Sequence, residues 1–537
     1  MIVGNLSIKK LLKEVKNATI HEMPSLNWIG KEAVVNHDKE VPFRLLKKIK
    51  VSSVGDDSQN LIIHGDNLEG LKSLMPHYYG KIKCIYIDPP YNTGNENWVY
   101  NDKVNSPKIK QWLGKVVGRD AEDLTRHDKW LCMMYPRLKL MKDLLSDDGA
   151  ILISIDDNEH CNLKQIMDEI FGELNFITNI IWQKKYTQSN DAKYFSNTHD
   201  FIVCYAKNKE NKNFKINLLA RTEEQDARYK NPDNDPRGPW MTQPLHAKSG
   251  TDRTYEFMFV NGVKWKPPVG TFPRYSVDTL KRADQDGTIW FGKKGDAVPR
   301  LKKYLNEMKQ GVIPKTIWLY DEVGSNDDAK KAIKNLFDDN PFDSPKPPSL
   351  IKQIIKLSSG PEDIILDSFA GSGTTGHAVM ALNKEDNGNR RFIMIEMEDA
   401  VAKNITAERV KRAIKKYDYK DGFEYCELDK PLFDENGHIE TTCDFSQFAT
   451  YIYFTETQRN IEKKNMEGNF IGEDVSTEFY LIYKEPKTND LDKSFIKRLR
   501  KTDSKKVVYA DRCMLDDEML AQYNIVFKQI PYEVKIY

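Results

Sequence analysis

Two short apolar runs, each ending at an aspartate, constrain this chain more than any bulk property. Cys84-Ile85-Tyr86-Ile87 leads into Asp88-Pro89-Pro90-Tyr91, and Ile364-Ile365-Leu366 leads into Asp367-Ser368-Phe369-Ala370-Gly371-Ser372-Gly373-Thr374-Thr375-Gly376. Uninterrupted apolar runs suit strands buried on both faces, as in a parallel sheet covered by helices. The neighbouring sequence repeats the theme. Leu61 to His64, Ala150 to Ile155, Asn179 to Trp182, Phe201 to Tyr205 and Arg391 to Glu396 read as strands. Asn67 to Met75, Trp130 to Leu145, Leu163 to Phe171, His377 to Asn383 and the basic Val401 to Tyr417 carry apolar residues at helical spacing. The alternation predicts an α/β fold with a mostly parallel sheet covered on both faces.

The alternation breaks between residues 208 and 340, which are polar and aromatic with prolines as punctuation. With 537 residues there is room for several cores. The expected organisation is a helical extension over 1–50, half of the α/β domain over 51–207 and an insert over 208–340. The second half follows over 341–420, and a small α+β domain over 421–537. In that last domain Tyr451-Ile452-Tyr453-Phe454, Phe479 to Ile482 and Lys506 to Tyr509 read as strands.

Charge is uneven. Lys184 to Tyr320 holds 25 Lys and Arg against 15 Asp and Glu, whereas the whole chain carries a net charge of +1. A basic segment inside an acidic remainder is either a surface facing a polyanion or a solvated charged face. No apolar stretch is long enough for a membrane span, and the first residues lack a signal-peptide core. Seven scattered cysteines, with no Cys-x-x-Cys pair, fit reduced thiols in a cytoplasmic protein. No metal is expected: the histidines form no His-Glu-x-x-His, and there is no Cys/His quartet. No nucleoside-triphosphate P-loop is present.

Gly371, Gly373 and Gly376 satisfy G-x-G-x-x-G between a strand and a helix, which lets a ligand approach the backbone at the helix start. Glu396 closes the next strand, where a carboxylate can bind ribose hydroxyls. NAD, FAD, S-adenosylmethionine and a plain tight turn all fit this loop. The Asp-Pro-Pro-Tyr turn suits the activation of an exocyclic amine. Such an amine is a poor nucleophile because its lone pair is delocalised into the ring. Asp88 can accept one of its hydrogens and the carbonyl of Pro89 the other, which localises the lone pair and aims it. Pro89 and Pro90 stiffen the turn, and Tyr91 offers a stacking face. The alternative is a proline turn capped by Asp88.

Taken together, these motifs resemble the β class of DNA amino-methyltransferases, and most closely the modification subunits of type III restriction–modification systems. In that class the catalytic motif precedes the cofactor loop and the target-recognition domain lies between them, as in this order of motifs. The resemblance covers nearly the whole chain. It implies a Rossmann-like S-adenosylmethionine-dependent methyltransferase that flips a base in double-stranded DNA. By the same resemblance, Asp88, Pro89, Pro90 and Tyr91 are catalytic. Asp367, Phe369, Ala370, Gly371, Ser372, Gly373, Thr374 and Glu396 hold S-adenosyl-L-methionine. Asp66 reads its adenine or caps a helix, and Lys346, Pro347 and Leu350 belong to a motif packed over the methionine end. Trp182 is pocket wall or core.

Residues 208–340 become the target-recognition domain. Lys184, Arg228, Arg237, Trp240, Arg253, Arg274, Lys293 and Lys294 are the candidate DNA contacts. Aspartate at position 88 favours adenine N6 over cytosine N4 by family tendency. Partners implied are a second copy of the chain and a restriction subunit with helicase and nuclease activity. Cytosine-N4 methylation, a non-catalytic DNA-binding specificity subunit and RNA methylation are the alternatives.

Overall fold

The computed structural model describes residues 26–55, 58–93, 114, 125–250, 254–308, 311–434, 436–461, 463–484, 488–532 and 534. Half of the N-terminal extension, residues 1–25, and the candidate DNA contact Arg253 lie outside these. By compactness the chain divides into residues 1–216 with 315–537, and residues 217–314.

The first unit is built on a ten-stranded sheet. Its strands are β1 (Arg44–Lys48), β2 (Leu61–His64), β3 (Ile82–Ile87), β4 (Leu145–Ile155), β5 (Phe176–Gln183), β6 (His199–Ala206), β7 (Ile317–Trp318), β8 (Ile364–Asp367), β9 (Arg391–Glu396) and β10 (Glu424–Pro431). Their order across the sheet is β1-β10-β2-β9-β8-β3-β4-β6-β5-β7. Six of the nine neighbouring pairs are parallel, and only β1 with β10, β4 with β6 and β5 with β6 are antiparallel. The mostly parallel sheet expected from the sequence is therefore present.

The apolar runs form strands because both faces are covered. Every residue of β8 is buried, as are five of six in β3. Helices α1 (Asn67–Tyr78), α2 (Arg126–Leu144), α3 (His160–Phe171), α4 (Pro348–Ser358), α5 (Thr374–Asp386) and α6 (Glu408–Tyr417) accompany the sheet. Ile85, Ile87, Leu71, Trp130, Leu138 and Ile166 share one core. Each such side chain contributes about 1.5–3 kcal/mol on burial. β8 and β3 are neighbours, and the chain runs outward from them in opposite directions, to β9 and to β4. In open α/β sheets, that switch point at the carboxyl ends of the strands is where ligands bind.

Three expectations are corrected. The extension read as helical over 1–50 carries two short helices, Lys31–Val34 and His37–Glu40, but also an edge strand, β1, which pairs with β10. Residues 315–340, read as part of the insert, add β7 and a helix, Asn326–Lys334, to the first unit. Tyr451 to Phe454, read as a strand, lies inside helix α7 (Phe445–Thr457). Asp444 accepts from the Gln447 amide while the Gln447 side chain accepts from the Asp444 amide, a capping box that starts the helix. Residues 448–455 are all buried, so the helix is apolar on every side and its period is invisible in the sequence. The remaining C-terminal strands, Phe470–Asp474, Thr477–Leu481, Lys505–Ala510 and Ile525–Gln529, form a separate four-stranded sheet.

The second unit, 217–314, has its own small core of Leu245, Phe259, Trp265, Leu280, Ile289 and Leu301. Trp240–Pro244, Arg300–Tyr304 and Ile289–Trp290 form an antiparallel sheet within it. Among the described residues no helix is long and apolar enough to cross a membrane.

Candidate active site

Cys84 pairs with Ile365 and Ile85 with Leu366, so β3 and β8 bring Asp88 and Asp367 to one edge of the sheet. A cleft opens there. It is lined by Tyr86, Asp88, Phe342, Ser344, Pro345, Lys346, Asp367, Phe369, Ala370, Gly371, Ser372, Thr374 and Thr375. Both sequence motifs thus face one space. Asn67, at the start of α1, ties the edge together by donating to the Ser368 carbonyl at 3.0 Å.

On the Asp88 side, the ammonium of Lys346 donates to Oδ2 at 2.5 Å and sits 5.1 Å from the centre of the Tyr91 ring. The other oxygen, Oδ1, is buried and without a well-formed hydrogen bond among the described residues, as is the Tyr91 hydroxyl beside this carboxylate. A buried acceptor without a donor is costly, so this oxygen is primed for an incoming N–H. Trp130, fully buried on α2, donates Nε1–H to the Pro90 carbonyl at 2.7 Å and fixes the turn. Asn92 leaves the turn with φ +56°. Its amide donates to the carboxylate of Glu159, which also bonds His127 at 2.7 Å. Tyr91 is 9% exposed. Burial first, and then the Asp88 charge, hold its phenol well above the ordinary range.

A second carboxylate lies in the same region. Asp200, at the start of β6, is buried and pairs with Lys184 at 2.6 Å. Burial raises its pKa against the pull of Lys184 and Lys346. Sequence reading passed over it because it opens its strand instead of following it. β6 runs antiparallel to β4, so its first residues reach the same edge as the end of β3.

The glycine loop is held from within. Asp367 accepts from the Phe369 amide at 3.1 Å and from the Thr375 hydroxyl at 2.5 Å. Glu396 accepts from the Gly371 amide at 2.9 Å, so it braces the loop and does not line the cleft. Gly373 has φ +72°, and a Cβ there would meet the Thr406 carbonyl oxygen at 2.8 Å. That carbonyl belongs to a π-helical segment, Ala402–Ala407, that interrupts the long helix expected over 401–417. The same segment lets the Thr406 hydroxyl donate to the Gly371 carbonyl at 2.6 Å.

Arg409, on the buried face of α6, donates to the hydroxyls of Ser372 at 2.8 Å and Thr374 at 2.6 Å. Burial lowers its pKa to about 10. The helix's overall basic character hid this arginine among solvated lysines.

Asp66 caps α1 by accepting from the Leu68 amide at 2.8 Å, and the buried Arg137 donates to it at 3.3 Å. Pro347 caps α4 and Leu350 is fully buried; neither lines the cleft. Trp182 is fully buried, with its N–H on the Gly324 carbonyl, which is core packing.

The candidate DNA contacts separate into two groups. Arg228, Arg274, Lys293 and Lys294 are exposed. Arg228 pairs in solvent with Glu224. Trp240 is interior instead, and Arg237 is part-exposed but engaged within its own unit. Arg237 forks onto Asp235 with two bonds of 2.8 Å, and Trp240 is 5% exposed with its N–H on Asp233 at 2.9 Å. Lys184 is engaged by Asp200 in the first unit.

Two consequences are measurable. Gly373→Ala places a Cβ against backbone at positive φ and lowers stability by about 1–3 kcal/mol, read by urea denaturation. The second concerns Asp367, whose carboxyl is fully buried and pushed up to about 7 by burial. The folded chain then holds a proton that the unfolded chain releases near pH 4. This contribution to stability is present at low pH and is lost as pH rises from about 4 to 7, by up to about 1.4 kcal/mol per pH unit. Denaturation of Asp367→Asn across this window should lack that slope.

The residue pattern of the N6/N4 DNA methylase family matches residues 82–408. The chain is 36% identical over 429 residues to the type III restriction-modification enzyme StyLTI Mod subunit of Salmonella typhimurium, covering 76% of this chain and 64% of that protein. It is 30% identical over 519 residues to the EcoP15I Mod subunit of Escherichia coli, covering 84% and 78%. The type II methyltransferase M.KpnI of Klebsiella pneumoniae is 30% identical over 404 residues, covering 70% and 87%. The chain belongs to the N6/N4 DNA methylase family. It spans about two thirds of the length of the StyLTI subunit.

Proposed function

We propose that this chain methylates adenine N6 in double-stranded DNA at a specific sequence, with S-adenosylmethionine as donor. The observation that carries the reading is the buried Oδ1 of Asp88, without a well-formed hydrogen bond, in the cleft that the glycine loop also lines. The residues suit such a donor: the loop leaves no room for a Cβ at Gly373, and the cleft joins apolar walls from Phe342 and Phe369 to the hydroxyls of Ser372 and Thr374. When bound, the donor supplies an electrophilic methyl group.

The chain's residues do the rest. Lys346 holds Oδ2 of Asp88, so Oδ1 accepts one N6 hydrogen. The Pro89 carbonyl accepts the other, in a turn that Trp130 keeps rigid. Two acceptors on one amine localise its lone pair and fix its direction. Tyr91 stacks on the flipped base, which spends unpairing energy to reach the cleft. Asp367 and residues 369–374 hold the donor, and Glu396 keeps that loop in shape through the Gly371 amide.

Arg228, Arg274, Lys293 and Lys294 in unit 217–314 contact the duplex, where lysine and arginine bind phosphates and arginine reads base edges. Relatives named Mod subunits support a place in a type III restriction–modification system, with a restriction subunit and a second copy of this chain as partners. Incubation with labelled S-adenosylmethionine tests the reading. Label transferred to duplex DNA, undiminished by excess RNA and recovered as N6-methyladenine, supports it. Label in N4-methylcytosine corrects the target base, and binding without transfer to any nucleic acid contradicts the activity.

A further inference from the structure

The connection between β5 and β6, residues 184–198, has no part in the chemistry above, yet it leaves the sheet at the edge that carries Asp88. Ile87 of β3 pairs with Ile153 of β4, Ile155 of β4 with Phe201 of β6, and Gln183 of β5 with His199 of β6. The hairpin therefore closes at the catalytic edge. Its base is anchored: the Lys184 amide donates to the Thr198 carbonyl at 2.9 Å, the Lys184 ammonium is on Asp200, and Asn197 reaches Asp157 at 3.2 Å. Farther out, the Ser189 amide donates to the Ser196 hydroxyl at 2.8 Å.

The outer part of this anchored loop exposes two adjacent aromatic rings. Phe195 is 94% exposed and Tyr194 is 81% exposed. Leaving a phenylalanine in water forgoes burial that a core position would provide. Exposed Lys193 adjoins the rings, with its ammonium 5.3 Å from the Tyr194 ring centre. Flat apolar faces beside a lysine suit a partner that offers both stacked bases and phosphates.

Resting on the base-flipping reading above, we propose that Tyr194 and Phe195 enter the duplex beside the target and occupy the space the flipped base leaves. Extruding a base breaks its pairing and its stacking with both neighbours, and apolar wedges between base steps stabilise an unstacked duplex. The occupant is duplex DNA because the loop rises from the edge where Asp88 receives the base.

The test uses the full chain with Tyr194 and Phe195 both replaced by alanine, alongside Phe195→Ala alone. The exposure of both rings leaves the fold intact, which a melting curve checks. Two duplexes carry the methylated sequence: one fully paired, the other with an abasic site opposite the target adenine. On the paired duplex the double variant should be slower by about 10- to 100-fold, with Phe195→Ala intermediate and donor binding unchanged. On the abasic duplex, whose target needs no unpairing, the double variant should return to within about threefold of wild type.

Equal rates on the paired duplex overturn the proposal and leave the aromatic pair to a protein contact. Equal loss on both duplexes overturns it in favour of general DNA binding. If wild type is inactive on both duplexes, the methyltransferase reading fails and this proposal with it.

Discussion

Replacing Asp88 with asparagine should lower methyl transfer by about 10³-fold while leaving binding of S-adenosylhomocysteine unchanged. Asparagine keeps the shape of the side chain and removes the charge. Its carbonyl can still accept one hydrogen, but it no longer answers the positive charge that develops on the amine during attack. Lys346 is the complication. Its side chain is 9% exposed and its ammonium is bonded to Asp88, so the variant leaves a mostly buried cation beside a neutral amide. Breaking such a pair costs about 1–3 kcal/mol where some solvent remains. A melting curve separates this loss from the catalytic one. A folded Asp88→Asn protein with wild-type turnover would remove Asp88 from the chemistry.

Trp130→Ala should have the largest effect on stability, about 3–5 kcal/mol, because it empties a fully buried indole site on α2. It also frees the Pro90 carbonyl from its 2.7 Å bond, so the turn that carries Asp88 loosens. Trp130→Phe separates the two effects. It retains most of the packing and loses only the N–H, so stability should fall by about 1–2 kcal/mol while transfer drops more than donor affinity. If both variants lose stability and neither loses transfer beyond its unfolded fraction, the indole N–H has no positioning role.

Much of the fold and part of the site could be read from the chain. β3 and β8 were legible because parallel strands are apolar without interruption, and each ends at an aspartate beside a turn of special chemistry. Their adjacency was not, since Cys84 and Ile365 are paired across most of the domain. The contact between Lys346 and Asp88 is hidden for the same reason. Asp200 was missed because an antiparallel strand brings its first residues to the functional edge. Arg409 was lost in a helix whose basic count masked one buried guanidinium.

Tyr451 to Phe454 was misread because a helix buried on all sides has no apolar stripe; the capping box at Asp444 was the better signal. Trp240 was drawn toward DNA by residue type alone, whereas Arg237 stays part-exposed. In the structure Arg237 is held by Asp235 and Trp240 is packed inside. Composition can mark a basic segment, but it cannot say which of its side chains turn inward.

The most direct test of the central claim is single-molecule sequencing of unmethylated genomic DNA treated with the purified chain and S-adenosylmethionine. The account predicts N6-methyladenine at one short motif and nowhere else, which would also supply the recognition sequence. Unmodified DNA, from a folded protein shown to bind the donor, would contradict it.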